Sequence, residues 1–405
     1  MTEAEFRRAL RFGLGRALQF TRRTRPFPYR QALLDACVEC QTYDPQVDGT
    51  LGSFIWDVLE ASGEKPAGRE VVLRSLETAG DDHHAEKRFW LAMLFALEGD
   101  DEMRRVMHEQ FRPGPRHGDG VGISFLEMDG LKGFLFPAGR IGMALREQGD
   151  QWDFGWFLSH AEEALGTEEA MQALREAAEG DADLARFLAM AEARSPGGGP
   201  RAEHGGPVSF EDLCARPRSR VSPIGWGRRA AEAELAKAAD AVLARGEQEP
   251  WLLSIFHWPA FPHDPAPLIA WAESDNAELA RRSCVALRNV VHPAVRTLGI
   301  RLRDIQLLER NSQPGDHAMI LRWLADAVDD EDLHGIGQDA LSFWKAHPDA
   351  ETAAALLRMV YERMPCTQCR ETAVRRMIEF GNVPSEIAEE CAFDGSEEIR
   401  ALSFC

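Results

Sequence analysis

Lysine is almost missing from this chain: five residues (Lys65, Lys87, Lys132, Lys237 and Lys345) stand against 41 arginines. That bias reflects genome composition before it reflects chemistry. Cysteine is sparse as well, eight in 405 residues. This is too few for a disulfide scaffold and fits thiols kept reduced in a cytoplasmic protein. We find no secretory leader, and no apolar run reaches the roughly 18 residues a membrane helix needs. Alternation of apolar and polar residues at period two is nearly absent, which argues against sheet. Catalytic signatures are lacking too. There is no Gly-x-Ser-x-Gly elbow and no His-Glu-x-x-His. Gly118 to Gly122 holds glycines without a preceding strand or a Gly-Lys-Ser/Thr. No enzyme activity, cofactor or small-molecule substrate is expected.

What is present is acid. The chain has 66 acidic and 46 basic residues, a formal charge of −20, which disfavours a nucleic-acid backbone as the main partner. The N-terminus departs from this background. Residues 1–34 carry eight arginines (Arg7, Arg8, Arg11, Arg16, Arg22, Arg23, Arg25 and Arg30) against Glu3 and Glu5, whereas 35–194 carry 15 basic and 32 acidic residues. The two expectations for this cap are pairing with the protein's own carboxylates, or an anion-binding end suited to the bidentate guanidinium.

Residues 195–207 hold five Gly and three Pro, a composition that cannot sustain a helix and reads as a linker. The expected organisation is therefore a helical-repeat domain over 1–194, a linker over 195–208 and a second repeat domain over 209–405. Elsewhere the spacing predicts helices of about 10–18 residues with short breaks, for example 2–22, 50–62, 153–165, 224–245, 277–290, 336–347 and 366–380. Arg112 to Gly122 reads as a surface loop. The fold class is all-α.

Leu268 to Leu302 and Ile387 to Phe404 share a pattern. An apolar helix precedes an Asp-containing turn (Ser274-Asp275-Asn276; Asp394-Gly395-Ser396), and the next helix brings Arg281 or Arg400 about a turn later. His292-Pro293-Ala294 opens a helix in a similar way. Over 268–304 and 383–404 the chain resembles HEAT repeats. The resemblance implies an α-solenoid of stacked antiparallel helix pairs, in two halves, of the kind used to bind proteins or peptides. In it the turn residues cap helices and do no chemistry.

Other candidate sites are few. Cys37 with Cys40 and Cys366 with Cys369 form two CxxC pairs, weak metal candidates because they lie far apart and fall on apolar helical stripes. Cys366, beside Pro365 at a helix start, is the one thiol placed to feel a helix dipole. Asp81-Asp82-His83-His84 reads as a solvated cap. The acidic run from Asp326 to Asp332 lacks EF-hand spacing and reads as an interhelical turn. Trp258 and Phe261 stand in the helix-breaking run His257 to His263, either plugging a repeat junction or forming an aromatic shelf. The function expected is non-enzymatic protein recognition toward a basic or peptide-like partner. Its rivals are a nucleic-acid-binding HEAT protein of the DNA-repair glycosylase kind, and an immunity-type inhibitor of a basic enzyme.

Overall fold

The computed structural model describes residues 1–39, 48–78, 85–114, 120–148, 154–193, 209–216 and 222–402. Among the described residues the regular structure is helical throughout, without strands, and no helix is long and apolar enough to cross a membrane. The all-α reading holds.

The chain forms two compact units, Met1–Gly198 together with Met364–Cys405, and Gly199–Arg363. The linear division expected above placed 364–405 with 209–363; here that segment belongs to the first unit. The linker at 195–208 lies outside the described residues.

Packing within the first unit explains the reassignment. The Gly395 N–H donates to the Gly13 carbonyl at 2.6 Å. Arg16 Nε reaches the Glu390 carboxylate at 2.7 Å, and a Cβ on Gly15 would fall 2.1 Å from the Glu390 carbonyl oxygen. The helix expected over 2–22 is accordingly two, Glu3–Phe12 and Arg16–Arg23. Gly13, at φ 66°, ends the first in the left-handed conformation, while Thr2 and Glu5 open it with a reciprocal capping box.

The helical patterns on either side of the expected loop at 112–122 are Asp101–Phe111 and Gly120–Gln148. The second of these bends at Gly130 (φ 56°, ψ −128°), a conformation open to glycine alone. The expected loop at 112–122 is thus shorter, and residues 115–119 lie outside the described set. Gly155–Leu165 and Ala182–Ala193 pack on Gly120–Gln148. Their shared core includes Phe134, Phe154, Phe157 and Phe187, with ring centroids 5.7 Å apart for Phe134–Phe157 and 5.0 Å for Phe154–Phe187.

At the C-terminal end, Thr367–Glu379, Ser385–Cys391 and Glu397–Arg400 are tied by a fully buried ion pair. Both terminal nitrogens of Arg370 donate to Asp394, at 3.1 and 3.2 Å. Asp394 also accepts the Ser396 N–H at 3.0 Å, Ser396 Oγ caps the last helix at the Ile399 N–H, and Arg400 donates to the Asp394 carbonyl at 2.6 Å.

In the second unit each element packs mainly on neighbours close to it in sequence. The run expected as one helix over 224–245 is broken after Gly227 into Pro223–Gly227 and Glu232–Arg245, and a 3-10 segment follows at Pro250–His257. Then come Ala266–Ala272, Ala277–Leu287, Pro293–Leu302, Ile305–Glu309, Asp316–Asp326, Asp330–Ala346 and Ala350–Arg363. The caps are the ones the turns announce. Asn276 accepts the Leu279 N–H at 3.2 Å, and His292 Nδ1 accepts the Ala294 N–H at 3.2 Å ahead of Pro293. The acidic run spans the turn between Asp316–Asp326 and Asp330–Ala346 and runs on into the second helix. Asp329 caps that helix by accepting the Asp332 N–H at 2.8 Å, so Asp330, Glu331 and Asp332 form its first turn, where the dipole favours negative charge.

Candidate binding surfaces

Most of the N-terminal arginines are engaged by the protein itself. Arg7 bridges Glu3 at 3.0 Å and Asp35 at 2.8 Å, and its bond to Asp35 raises its pKa further. Arg16 holds Glu390, and Arg30 holds Glu64 at 2.8 Å. Arg25 donates to the carbonyls of Thr21, Thr24 and Ala61. Arg8 and Arg11 lie 5.5 and 5.4 Å from the centroid of the Phe12 ring, and Arg22 lies 5.0 Å from that of Phe393. Arg23 is exposed.

The two aromatic candidates separate. Phe261 is buried, 5.0 Å from Phe256 in an edge-on pair, whereas Trp258 is 56% exposed. Prolines on either side of Phe261 prevent a helix, so neighbouring rings need not share a face. Phe261 plugs the core and Trp258 stands out from it.

Cys37 is buried, donates to the Leu33 carbonyl at 3.3 Å and has its thiol pushed up to about 12 by burial. Cys40 lies outside the described residues, as do Asp81 to His84. Cys366 caps Thr367–Glu379, and Cys369, one turn on, is buried. The bond to Cys366, reinforced by burial, raises the Cys369 thiol far from thiolate chemistry. In the second unit a pocket of about 230 Å³ lies between Cys214, Arg245, Glu249 and Trp251. It is smaller than the roughly 300–1,000 Å³ of ordinary ligand sites, and burial raises the Cys214 thiol too.

Three surface features escaped the sequence reading. The first is an acidic three-helix segment, Gly155–Leu165, Thr167–Ala178 and Ala182–Ala193, which with its connecting turns carries nine acidic and two basic residues from 155 to 193. Trp156 stands on it at 54% exposure. His160 and Glu163 follow at i+4 and i+7 and so share its side of the helix. His160 Nε2 lies 3.1 Å from the Glu127 carboxylate and its ring 6.5 Å from the indole. The second is a polar cluster in the other unit. Gln306 donates to Asp339 at 2.6 Å, and Asp304 caps Ile305–Glu309 through the Gln306 and Leu307 N–H groups. Burial raises both carboxyl pKa values, against the pull of Arg288. Arg288 Nε itself is buried without a hydrogen-bond partner. The third is the setting of Trp258, with the Arg228 guanidinium 5.8 Å from its centroid and the His257 ring edge-on at 4.8 Å. The available signal for the first was a Trp on the polar side of an amphipathic stripe.

Compared with protein-family models, with curated proteins and with solved structures, the chain matches none of them. The resemblance to HEAT repeats therefore rests on the turn and cap residues alone.

Proposed function

We propose that the protein is a non-catalytic cytoplasmic scaffold, with HEAT-like stacking of helix pairs in its units, that recognises a basic protein or peptide. The observation that carries this reading is the acidic three-helix face centred on Trp156. Clustered carboxylates of one sign steer a basic partner and speed its encounter. An exposed indole supplies what charge alone does not: a large apolar anchor that also attracts Arg and Lys through its ring face. The His160 ring lies 6.5 Å from the indole and is bonded to Glu127, and Glu163 follows about two turns along the same side of the helix, so carboxylates lie on the path of an incoming cation. The high thiol pKa of Cys37 and Cys369 supports a non-catalytic role.

The test is a titration of the full chain with an arginine-rich helical peptide and with its glutamate-substituted counterpart. The basic peptide should bind, more tightly at low salt. Trp156→Ala should weaken it by about 2 kcal/mol, the size of an interface anchor. Equal binding of both peptides, or an unchanged affinity in Trp156→Ala, would sink the reading.

A further inference from the structure

We propose that Trp258, with the Arg228 guanidinium beside its ring and the exposed Arg229 next in sequence, is a stacking platform for single-stranded nucleic acid. The loop that carries it is held from both sides. Phe256 before it and Phe261 after it are buried and pack edge-on at 5.0 Å, and Asn289 donates to the His257 carbonyl at 3.2 Å. Pro259 and Pro262 stiffen what lies between. The indole is therefore presented to solvent by an anchored frame, so little conformational freedom is lost when a ring stacks on it.

One guanidinium, that of Arg228, is placed against the indole, 5.8 Å from its centroid. In sequence, Arg216 to Ala231 holds five arginines and no acidic residue, of which Arg218 and Arg220 lie outside the described residues. Arg228 and Arg229 are exposed. Among the described residues neither is in an ion pair, and the one side-chain contact is that of Arg228 with the Trp258 ring. Arg288 adds positive charge on the His257 side: burial first and Arg288 second lower the His257 pKa. Asp304 and Asp339 share the field of Arg288, so the phosphate contacts fall to Arg228 and Arg229. At ordinary ionic strength charges beyond about 10 Å are largely screened, so the chain's net charge of −20 does not by itself exclude a phosphate at these guanidinium groups.

Guanidinium groups beside an exposed indole are the two parts that sequence-tolerant binding of single strands requires: cations that follow the phosphates and a ring on which a base stacks. A duplex hides its base faces, and an acidic peptide offers carboxylates without a flat ring. The site is built within the second unit alone and does not depend on Trp156.

The experiment is fluorescence anisotropy of the full chain with a labelled oligothymidylate at low and moderate salt, with polyglutamate as competitor. Binding should show a log–log salt slope of about −1.4, as two phosphate contacts on a single strand give. Trp258→Ala should weaken it by about 5- to 150-fold, the value of one stacked base, while Trp258→Phe retains most of it. Arg228→Gln with Arg229→Gln should flatten the slope toward zero. Replacing Arg7, Arg8, Arg11 and Arg16 with Gln, or Trp156 with Ala, should leave affinity unchanged. The proposal is overturned by absence of binding at low salt, by an unaltered affinity in a Trp258→Ala protein of normal helicity, by loss of binding in the N-terminal variant alone, or by polyglutamate competing as well as the oligonucleotide.

Discussion

Removing Arg370 should unfold the first unit far more readily than its single side chain suggests. The Arg370 and Asp394 side chains are 1% and 0% exposed, and the two charges meet through paired bonds of 3.1 and 3.2 Å. Arg370→Met fills much of the same space but leaves the Asp394 carboxylate buried without its cation. Breaking a buried pair in this way costs about 3–5 kcal/mol. Against a total stability of roughly 5–15 kcal/mol, that is a fifth or more. For a unit of this size it lowers Tm by about 6–20 °C. The partner change Asp394→Asn keeps an acceptor for the Ser396 N–H while removing the charge. The double variant should therefore be more stable than Arg370→Met alone, with a coupling of about 0.5–3 kcal/mol. Urea unfolding followed by far-UV circular dichroism measures all three proteins. A cost below about 1 kcal/mol for Arg370→Met, or strictly additive effects in the double variant, would refute the reasoning.

Two further outcomes follow from the packing. Burial puts the folded-state pKa values of Asp304 and Asp339 above the ordinary aspartate value. The folded protein then holds protons that the unfolded chain has released, and stability falls as pH rises from about 4 through the folded pKa. Asp304→Asn with Asp339→Asn removes this loss. The variant should gain stability relative to the parent between pH 4 and pH 7 in urea melts; an equal difference at both pH values would count against it. Gly142→Ala should destabilise the first unit by about 1–3 kcal/mol through overpacking, because the new Cβ would fall 1.8 Å from the Asp183 carbonyl oxygen. A thermal melt matching the parent would show that the two helices part at no cost.

Local structure was the legible part. Asn276, His292 and Ser396 were readable as helix starts because a cap is a short-range bond between a side chain and an N–H two or three residues ahead. Buried thiols at Cys37 and Cys369 followed from helical period. What sequence did not reveal depends on contacts distant along the chain. Gly13 and Gly15 pass unnoticed inside one expected helix over 2–22 until Gly395 and Glu390 are seen against them. Trp258 and Phe261, three residues apart, take opposite sides because prolines remove the helical period by which sides are assigned. Trp156 passes as one more packing aromatic unless its place on the polar side of its helix is weighed against its size, and that weak local signal was the only one available. The acidic run from Asp326 to Asp332 was legible as an interhelical turn, but not how far it enters the next helix, because carboxylates at a helix start and carboxylates in a turn have the same composition.

The bond between the Gly395 N–H and the Gly13 carbonyl joins residues at opposite ends of the translation schedule. When Gly13 and the helix Arg16–Arg23 leave the ribosome, Glu390, Phe393 and Gly395 have not been made. The whole of Gly199–Arg363 is synthesised in between. At about 5–20 residues per second, the interval from residue 198 to residue 400 lasts about 10–40 s. Throughout it, the surface that Phe393 will cover beside Arg22 is open to other apolar groups in the cell. The second unit, continuous in sequence and built from neighbouring contacts, has no such delay. It can finish folding while the first is still waiting for its last three helices, so a ribosome stalled after Arg363 would carry one complete unit and one unclosed one.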